Sequence, residues 1–255
     1  MDGQLALVTG AGGGIGSATA VALTKAGAQV ALTSRNPDRL GRTAAVVEAA
    51  GGADVPTFVA DFGDASQVHD LMGWTTDVLG GLDVLVNNAG ANSATRSVTA
   101  LDEATLDYLV DVNVRAPTIL SRGLIPGMID RGGGTIVTVA SFAVRNPGPL
   151  GGAAYGATKA AISNLMASIN IEFRNRRIRA CTIYPGEVDT ELLAQRPRPP
   201  TLEDRSTMIG ADDIAEAIVF CAAMPQRTLI EEVVVTPTVL RDTTEDVRMA
   251  LEARV

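Results

Sequence analysis

The sequence predicts an α/β domain, a doubly wound sheet of about seven parallel strands with helices on both faces. Three observations lead to it. Short, continuous apolar runs recur along the chain, as expected of strands covered on both sides. They alternate with longer stretches of helical period, which parallel strands require as crossovers. Glycine-rich or polar residues follow one strand after another at the same end, where ligands gather in such sheets.

Leu5 to Thr9 is the first strand, followed at once by Gly10, Ala11, Gly12, Gly13, Gly14, Ile15 and Gly16, and then by an alanine-rich helix through Ala26. Glycines let the backbone turn sharply and approach a pyrophosphate, while the free N–H groups of the helix start meet its negative charge. Ordinary tight turns use glycine too, but strand before and helix after meet the condition that a dinucleotide fingerprint sets. Gln29 to Thr33 is the second strand. At its end, where an acid would bind a free ribose 2′-hydroxyl, stand Ser34, Arg35 and Asn36. A hydroxyl beside a guanidinium favours a 2′-phosphate, so NADP(H) is expected over NAD(H), the alternative being a solvated Arg35 beside a helix start at Asn36-Pro37. That helix runs to Ala50. Thr57 to Ala60 is the third strand. Asp61, next to Phe62, reads either as a turn or cap acid or as a contact to an adenine ring. Asp64-Ala65-Ser66-Gln67 has the pattern of a capping box, and Val68, Leu71, Met72, Thr75, Val78 and Leu79 repeat with helical period.

Leu82 to Val86 is the fourth strand, and it ends in Asn87, Asn88, Ala89 and Gly90, amides and a close-approach glycine suited to locking neighbouring loops around a ligand. Residues 101–128 read as largely helical, with Asn113 inside. Gly134 to Val139 is the fifth strand, ending at Ala140-Ser141. A proline- and glycine-rich loop, 146–152, leads into a helix bearing Tyr155 and Lys159, with a buried stripe of Ile162, Leu165, Met166, Ile169 and Phe173. Four residues apart, Tyr155 and Lys159 share a helix face. A nearby ammonium favours the phenolate and draws the tyrosine pKa of ~10 toward neutrality, which suits proton traffic at an alcohol or carbonyl. Ile178 to Tyr184 is the sixth strand, broken by Pro185-Gly186. The polar, proline-rich stretch at about 190–210 fits a lid or a surface loop. A helix over 211–223, a strand over 230–235 and a charged helix from Thr243 to Val255 complete the chain.

No composition break divides the 255 residues, so residues 1–255 are expected to form one domain. Aromatics are only 4% and glycines number 26, which suits close packing of helices on a sheet. A net charge of −8 argues against nucleic acid or an anionic membrane as partner. Cys181 and Cys221 sit in apolar runs and are expected to be buried, reduced thiols. No metal-ligand spacing is present, and His69, the only histidine, lies in a polar helix stretch. The N-terminus lacks a signal-peptide pattern, and a cytoplasmic location is the expectation.

Taken together, Thr9-Gly-x-x-x-Gly14-Ile15-Gly16, Asn87-Asn88-Ala89-Gly90, Asn113, Ser141, Tyr155-x-x-x-Lys159 and Pro185-Gly186-x-x-x-Thr190 resemble the short-chain dehydrogenase/reductase family, in its order and over essentially the whole chain. The resemblance implies a Rossmann-type fold and hydride transfer between a nicotinamide and a carbonyl or secondary alcohol of a small substrate. It assigns Tyr155 as acid or base and Lys159 to its pKa and to the nicotinamide ribose. Ser141 would orient the substrate oxygen, and Asn113 would hold a water linking Lys159 to solvent. Pro185, Gly186, Val188 and Thr190 would cradle the carboxamide. A homo-oligomer, dimer or tetramer, is implied, built on the helices 101–128 and 153–174. Three positions depart from the pattern: Ser141 lies one residue farther from Tyr155 than usual, Gly13 replaces a basic residue and leaves Arg35 largely alone with the phosphate, and Tyr184 precedes Pro185 where Asn is common. The C-terminal region is similar to NADP-dependent 3-hydroxy acid or serine dehydrogenases and clavaldehyde-type reductases. A dinucleotide-sensing module without turnover is the rival function, and the full set Asn113, Ser141, Tyr155 and Lys159 argues against it. Arg196 and Arg198 in the lid are candidates to meet an acidic substrate.

Overall fold

The computed structural model describes residues 1–252. Seven strands, β1 (Leu5–Thr9), β2 (Gln29–Ser34), β3 (Thr57–Val59), β4 (Val84–Asn87), β5 (Gly134–Val139), β6 (Ile178–Pro185) and β7 (Glu232–Val235), form one sheet in the order β3-β2-β1-β4-β5-β6-β7. Every neighbouring pair is parallel. Between them run α1 (Gly14–Lys25), α2 (Pro37–Ala49), α3 (Ala65–Leu79), α4 (Glu103–Val110), α5 (Ala116–Asp130) and α6 (Ala153–Phe173), with α7 (Leu202–Arg205) and α8 (Ala211–Ala223) before β7 and α9 (Thr244–Glu252) after it.

Alternation along each strand sends side chains into two cores. Ala6, Val8, Val84, Val86 and Val137 face Leu23 of α1, Leu40 of α2 and Ile214 and Ile218 of α8. Leu7, Leu85 and Ile136 face Leu71 of α3, Leu120 and Met128 of α5, and Ile162 and Met166 of α6. Each such fully buried aliphatic side chain contributes about 1.5–3 kcal/mol. The two expected buried thiols meet here: Cys181 of β6 lies 3.3 Å from Cys221 of α8, and both are unbridged. From β1 the chain winds outward through β2 and β3, then returns to start β4 on the other side of β1. That reversal opens a crevice beyond the carboxyl ends of β1 and β4.

Several boundaries differ from the sequence reading, each for a local reason. Strand β4 begins at Val84 because the Asp83 carboxylate binds the Leu5 N–H (2.9 Å) and Arg131. The 101–128 helix is interrupted by a π turn over Asp111–Arg115. Pro117 cannot donate to the carbonyl four residues back, that of Asn113, and its ring crowds that carbonyl, so the turn widens. Asp64 does cap α3, accepting from the Ser66 N–H (2.9 Å), but the reciprocal half of the expected capping box is absent. Gln67 instead accepts from the Asp61 N–H (2.9 Å), because the tight 61–64 turn already ties the Asp64 N–H to the Asp61 carbonyl. Strand β3 stops at Val59 and β7 starts at Glu232. The expected continuation of the last helix to Val255 lies outside the described residues.

Candidate active site

Gly10, Gly12, Gly13, Gly14 and Ile15, Ser34, Arg35 and Asn36, Asp61 and Phe62, Asn88 to Gly90, Ser141, Tyr155, Lys159, Pro185, Gly186, Val188 and Thr190 all border one crevice of about 1600 Å³. Small-ligand pockets run to ~1,000 Å³, so there is room for a dinucleotide and a substrate together. Gly16 and Asn113 stand behind this lining.

The floor is built by backbone proximity. A Cβ on Gly16 would overlap the Gly10 carbonyl and sit 2.6 Å from Asn88 Nδ2, and one on Gly10 would sit 2.7 Å from the Ala89 Cα. Asn88 earns that closeness by donating to the carbonyls of Thr9 (2.9 Å) and Gly10 (3.2 Å), while Thr9 Oγ1 accepts from the Asn88 and Ala89 N–H groups (both 3.0 Å). The two strand-end loops are thereby locked, as the amides suggested. Asn87 turns away into the core toward Ser121 and Thr138. A narrow cradle at the N-terminus of α1, kept open by absent side chains, fits a pyrophosphate.

At the β2 end, Ser34 Oγ bonds the Asn36 backbone (3.2 Å to the carbonyl), and Asn36 caps α2 by accepting from the Arg39 N–H (2.9 Å). Arg35 is exposed and donates to the Tyr108 hydroxyl of α4 (2.7 Å). It is not the sole cation there: Arg39 borders the same end of the crevice, paired with Glu191. Asp61 Oδ1 accepts from the Gly63 N–H (2.8 Å), which favours its turn-acid reading although it also borders the crevice. Phe62 is buried in the core at the edge of the crevice.

On the opposite wall Lys159 is buried, donates to the Val139 carbonyl (2.9 Å), and lies 5.8 Å from the Tyr155 ring centroid. Burial pushes its pKa down to about 8. Burial pushes Tyr155 upward, against the pull of the adjacent Ser141 hydroxyl and of the Arg96 and Arg196 charges. Arg96 and Arg196 thus add a cationic influence on the phenol beside that of Lys159. Asn113 is buried in the π turn, accepting from the Ala91 N–H and donating to the Ala91 carbonyl (both 2.9 Å) and to Thr158 Oγ1 (3.0 Å). These bonds tether the loop after Gly90 to α6.

Beyond β6, Gly186 N–H donates to the Val235 carbonyl (2.7 Å), and a Cβ at Gly186 would press on Pro237 at 3.0 Å. Val188 is buried and pairs through its backbone with Ile209 in a short parallel bridge, while the Thr190 side chain reaches across to Gly14. In the 190–210 segment Arg196 pairs with Glu187 (2.5 Å), and Arg198 with Asp246 (2.7 Å) and Asp204 (3.6 Å). The residues that sequence reasoning missed are Arg39, Arg96, Tyr108, Glu187 and Arg241. Of these only Arg39 had a signal, one helical turn beyond Arg35.

The short chain dehydrogenase family profile matches residues 4–200. The chain belongs to this family. An uncharacterized oxidoreductase of Staphylococcus aureus (strain N315) is 30% identical over 237 residues, spanning 92% of this chain and 97% of its own. Among solved structures, a metagenomic short-chain oxidoreductase in complex with NADP is 32% identical, with a TM-score of 0.80 over 94% of this chain and 99% of the other. The 3-ketoacyl-(acyl-carrier-protein) reductase from Brucella melitensis complexed with NADH is 29% identical, with a TM-score of 0.82 over 92% and 97%. As a short-chain dehydrogenase the protein is an NAD(P)-binding oxidoreductase that acts on CH–OH groups or the corresponding carbonyls of small molecules. No helix among the described residues is long and apolar enough to cross a membrane.

Proposed function

We propose that the protein is an NADP(H)-dependent carbonyl reductase or alcohol dehydrogenase, with Tyr155 exchanging the proton. The observation that carries this is the opening of Tyr155, between Ser141 and the buried Lys159, into the crevice that also holds the glycine turn. When bound, the nicotinamide supplies or accepts the hydride. The glycine turn and the start of α1 hold the pyrophosphate, and Pro185 to Thr190 hold the carboxamide. Ser141 orients the substrate oxygen, and Tyr155 gives it a proton in reduction or takes one in oxidation. Lys159, with a pKa near neutrality, holds the ribose and passes protons toward Asn113 and solvent. The end of β2 carries Ser34 and Arg35 and no carboxylate, and Arg39, paired with Glu191, stands beside them, which supports NADP(H). The stretch at 190–210 acts as the lid, in a single-domain protein.

Tyr155→Phe should lower kcat at least about 100-fold in steady-state assays, the scale of a lost general acid, while NADPH affinity changes little. Retained turnover would remove Tyr155 from the chemistry. Arg35→Asp should swing the NADPH/NADH preference toward NADH, and an unaltered ratio would refute the phosphate assignment.

A further inference from the structure

One charge near Tyr155 has no counter-charge. The lid and the C-terminal segment carry three arginines and three carboxylates in one network. Arg196 and Arg241 share Glu187, Arg241 and Arg198 share Asp246, and both of the latter also approach Asp204. That cluster is neutral. Arg96 stands outside it, 5% exposed, and among the described residues no carboxylate lies within ion-pair distance of it. Its Nη1 donates to the Gly151 carbonyl (2.9 Å), but its Nε is enclosed with no hydrogen-bond partner. Desolvation pushes its pKa down to about 10, and Arg196 adds repulsion.

A buried guanidinium with an unfilled edge is costly unless something completes it, because burial of an unpaired ion costs several kcal/mol. Its position identifies what does. Arg96 borders the crevice and holds Gly151, which neighbours the Tyr155 ring: a Cβ on Gly151 would lie 3.8 Å from Tyr155 Cδ1. With Nη1 committed to Gly151 and Nε enclosed, Nη2 is the donor left to meet an oxygen of a carboxylate, and the full guanidinium charge stands behind it. Asn92 Nδ2 also holds the Gly151 carbonyl (3.2 Å), and a Cβ on Gly152 would strike Arg96 Cδ at 3.0 Å, so the side chain is fixed in place.

We infer that the substrate carries a carboxylate received by Arg96, so that the protein reduces a small oxo acid to a hydroxy acid or runs the reverse. This rests on the reductase reading above. In the reducing direction the carbonyl carbon gains a hydride, with its electron pair, from the dihydronicotinamide, which is thereby oxidised. The carbonyl oxygen gains a proton from Tyr155, which is refilled from solvent. The substrate carboxylate is unchanged and serves as the handle that sets the carbonyl against Tyr155.

The test compares 2-oxobutanoate, 3-oxobutanoate and 4-oxopentanoate, each with its methyl ester, as substrates of the full-length protein with NADPH. For at least one pair, kcat/KM of the acid should exceed that of the ester about 100-fold, the scale of a charge-assisted contact to a buried cation. Arg96→Met should bring that ratio close to unity, chiefly through the KM of the acid, and Arg96→Lys should restore part of it. Preference for the esters by the wild type overturns the inference and leaves the reductase reading intact. An equal loss on acid and ester in Arg96→Met makes Arg96 a purely structural residue and also overturns it. If no probe turns over, calorimetric titration of the same acids into the NADP+-saturated protein decides the inference. Binding lost in Arg96→Met supports it, and absence of binding to the wild type overturns it.

Discussion

Lys159 is an ammonium enclosed by protein, held by one carbonyl, with its pKa pushed to about 8 against an ordinary value of 10.5. Burial disfavours the charged form in the folded state alone, so the folded protein binds fewer protons than the unfolded chain between those two values. The penalty is therefore complete below pH 8, and stability recovers as pH rises toward 10.5, by on the order of 3 kcal/mol. The wild type should gain stability over that window relative to Lys159→Met, as read by urea midpoints at each pH. A constant difference across the window would show that Lys159 keeps its ordinary pKa. Tyr155 and Lys159 were legible in the sequence because their partnership is local, one turn of one helix. Arg96 and Tyr108 were not, since each acquires its meaning from a residue far away in the chain: Gly151 lies 55 positions from Arg96, and Arg35 lies 73 from Tyr108.

Helix starts and strand cores, at the scale of elements, were read correctly wherever the cause was contiguous. Asn36-Pro37 opens α2 as expected, and β5 and β6 are buried along runs that are apolar except for Thr135, Thr138, Arg179 and Thr182. The π turn at Asn113 and the half-made cap at Asp64 escaped notice. Both depend on which of two competing bonds a backbone chooses, and the residue types allow either. The glycines divide along the same line. A methyl on Gly16 would be forced into the Gly10 carbonyl and Asn88 Nδ2, whereas one on Gly41, exposed in α2, would meet nothing within 4 Å. Gly16→Ala should cost about 1–3 kcal/mol through overpacking and weaken NADPH binding. Gly41→Ala should stabilise by up to about 1 kcal/mol through helix propensity. Thermal melts with and without NADPH would separate the two. Equal effects would mean that the loops are not locked as described.

At the scale of the whole molecule, the doubly wound class and the seven parallel strands were legible in the sequence, because strands that alternate with crossover helices leave few alternatives. The clasp between the 190–210 segment and the C-terminal segment was not. Glu187 sits just past β6 and binds Arg196 of the 190–210 segment and Arg241 of the C-terminal segment, and Asp246 of α9 binds Arg241 and Arg198. Burial works to raise the pKa of Glu187, but the two guanidiniums hold it below the usual carboxylate range. The ion pairs are thus complete at neutral pH. Glu187→Gln leaves two half-buried arginines facing each other and should loosen the clasp by on the order of 1–3 kcal/mol. Hydrogen exchange should then accelerate over residues 190–210 and 241–250 and stay slow in β5 and β6. Unchanged exchange in the lid would show that the clasp does not restrain it.

Far from the crevice, the sulfurs of Cys181 and Cys221 touch across the seam between the sheet and α8, sealed from water. Neither can meet a reagent from outside while strand and helix stay together, and both become reachable once they part. The protein thus contains its own tripwire: the appearance of a reactive thiol marks the parting of that seam, wherever in the molecule the disturbance began.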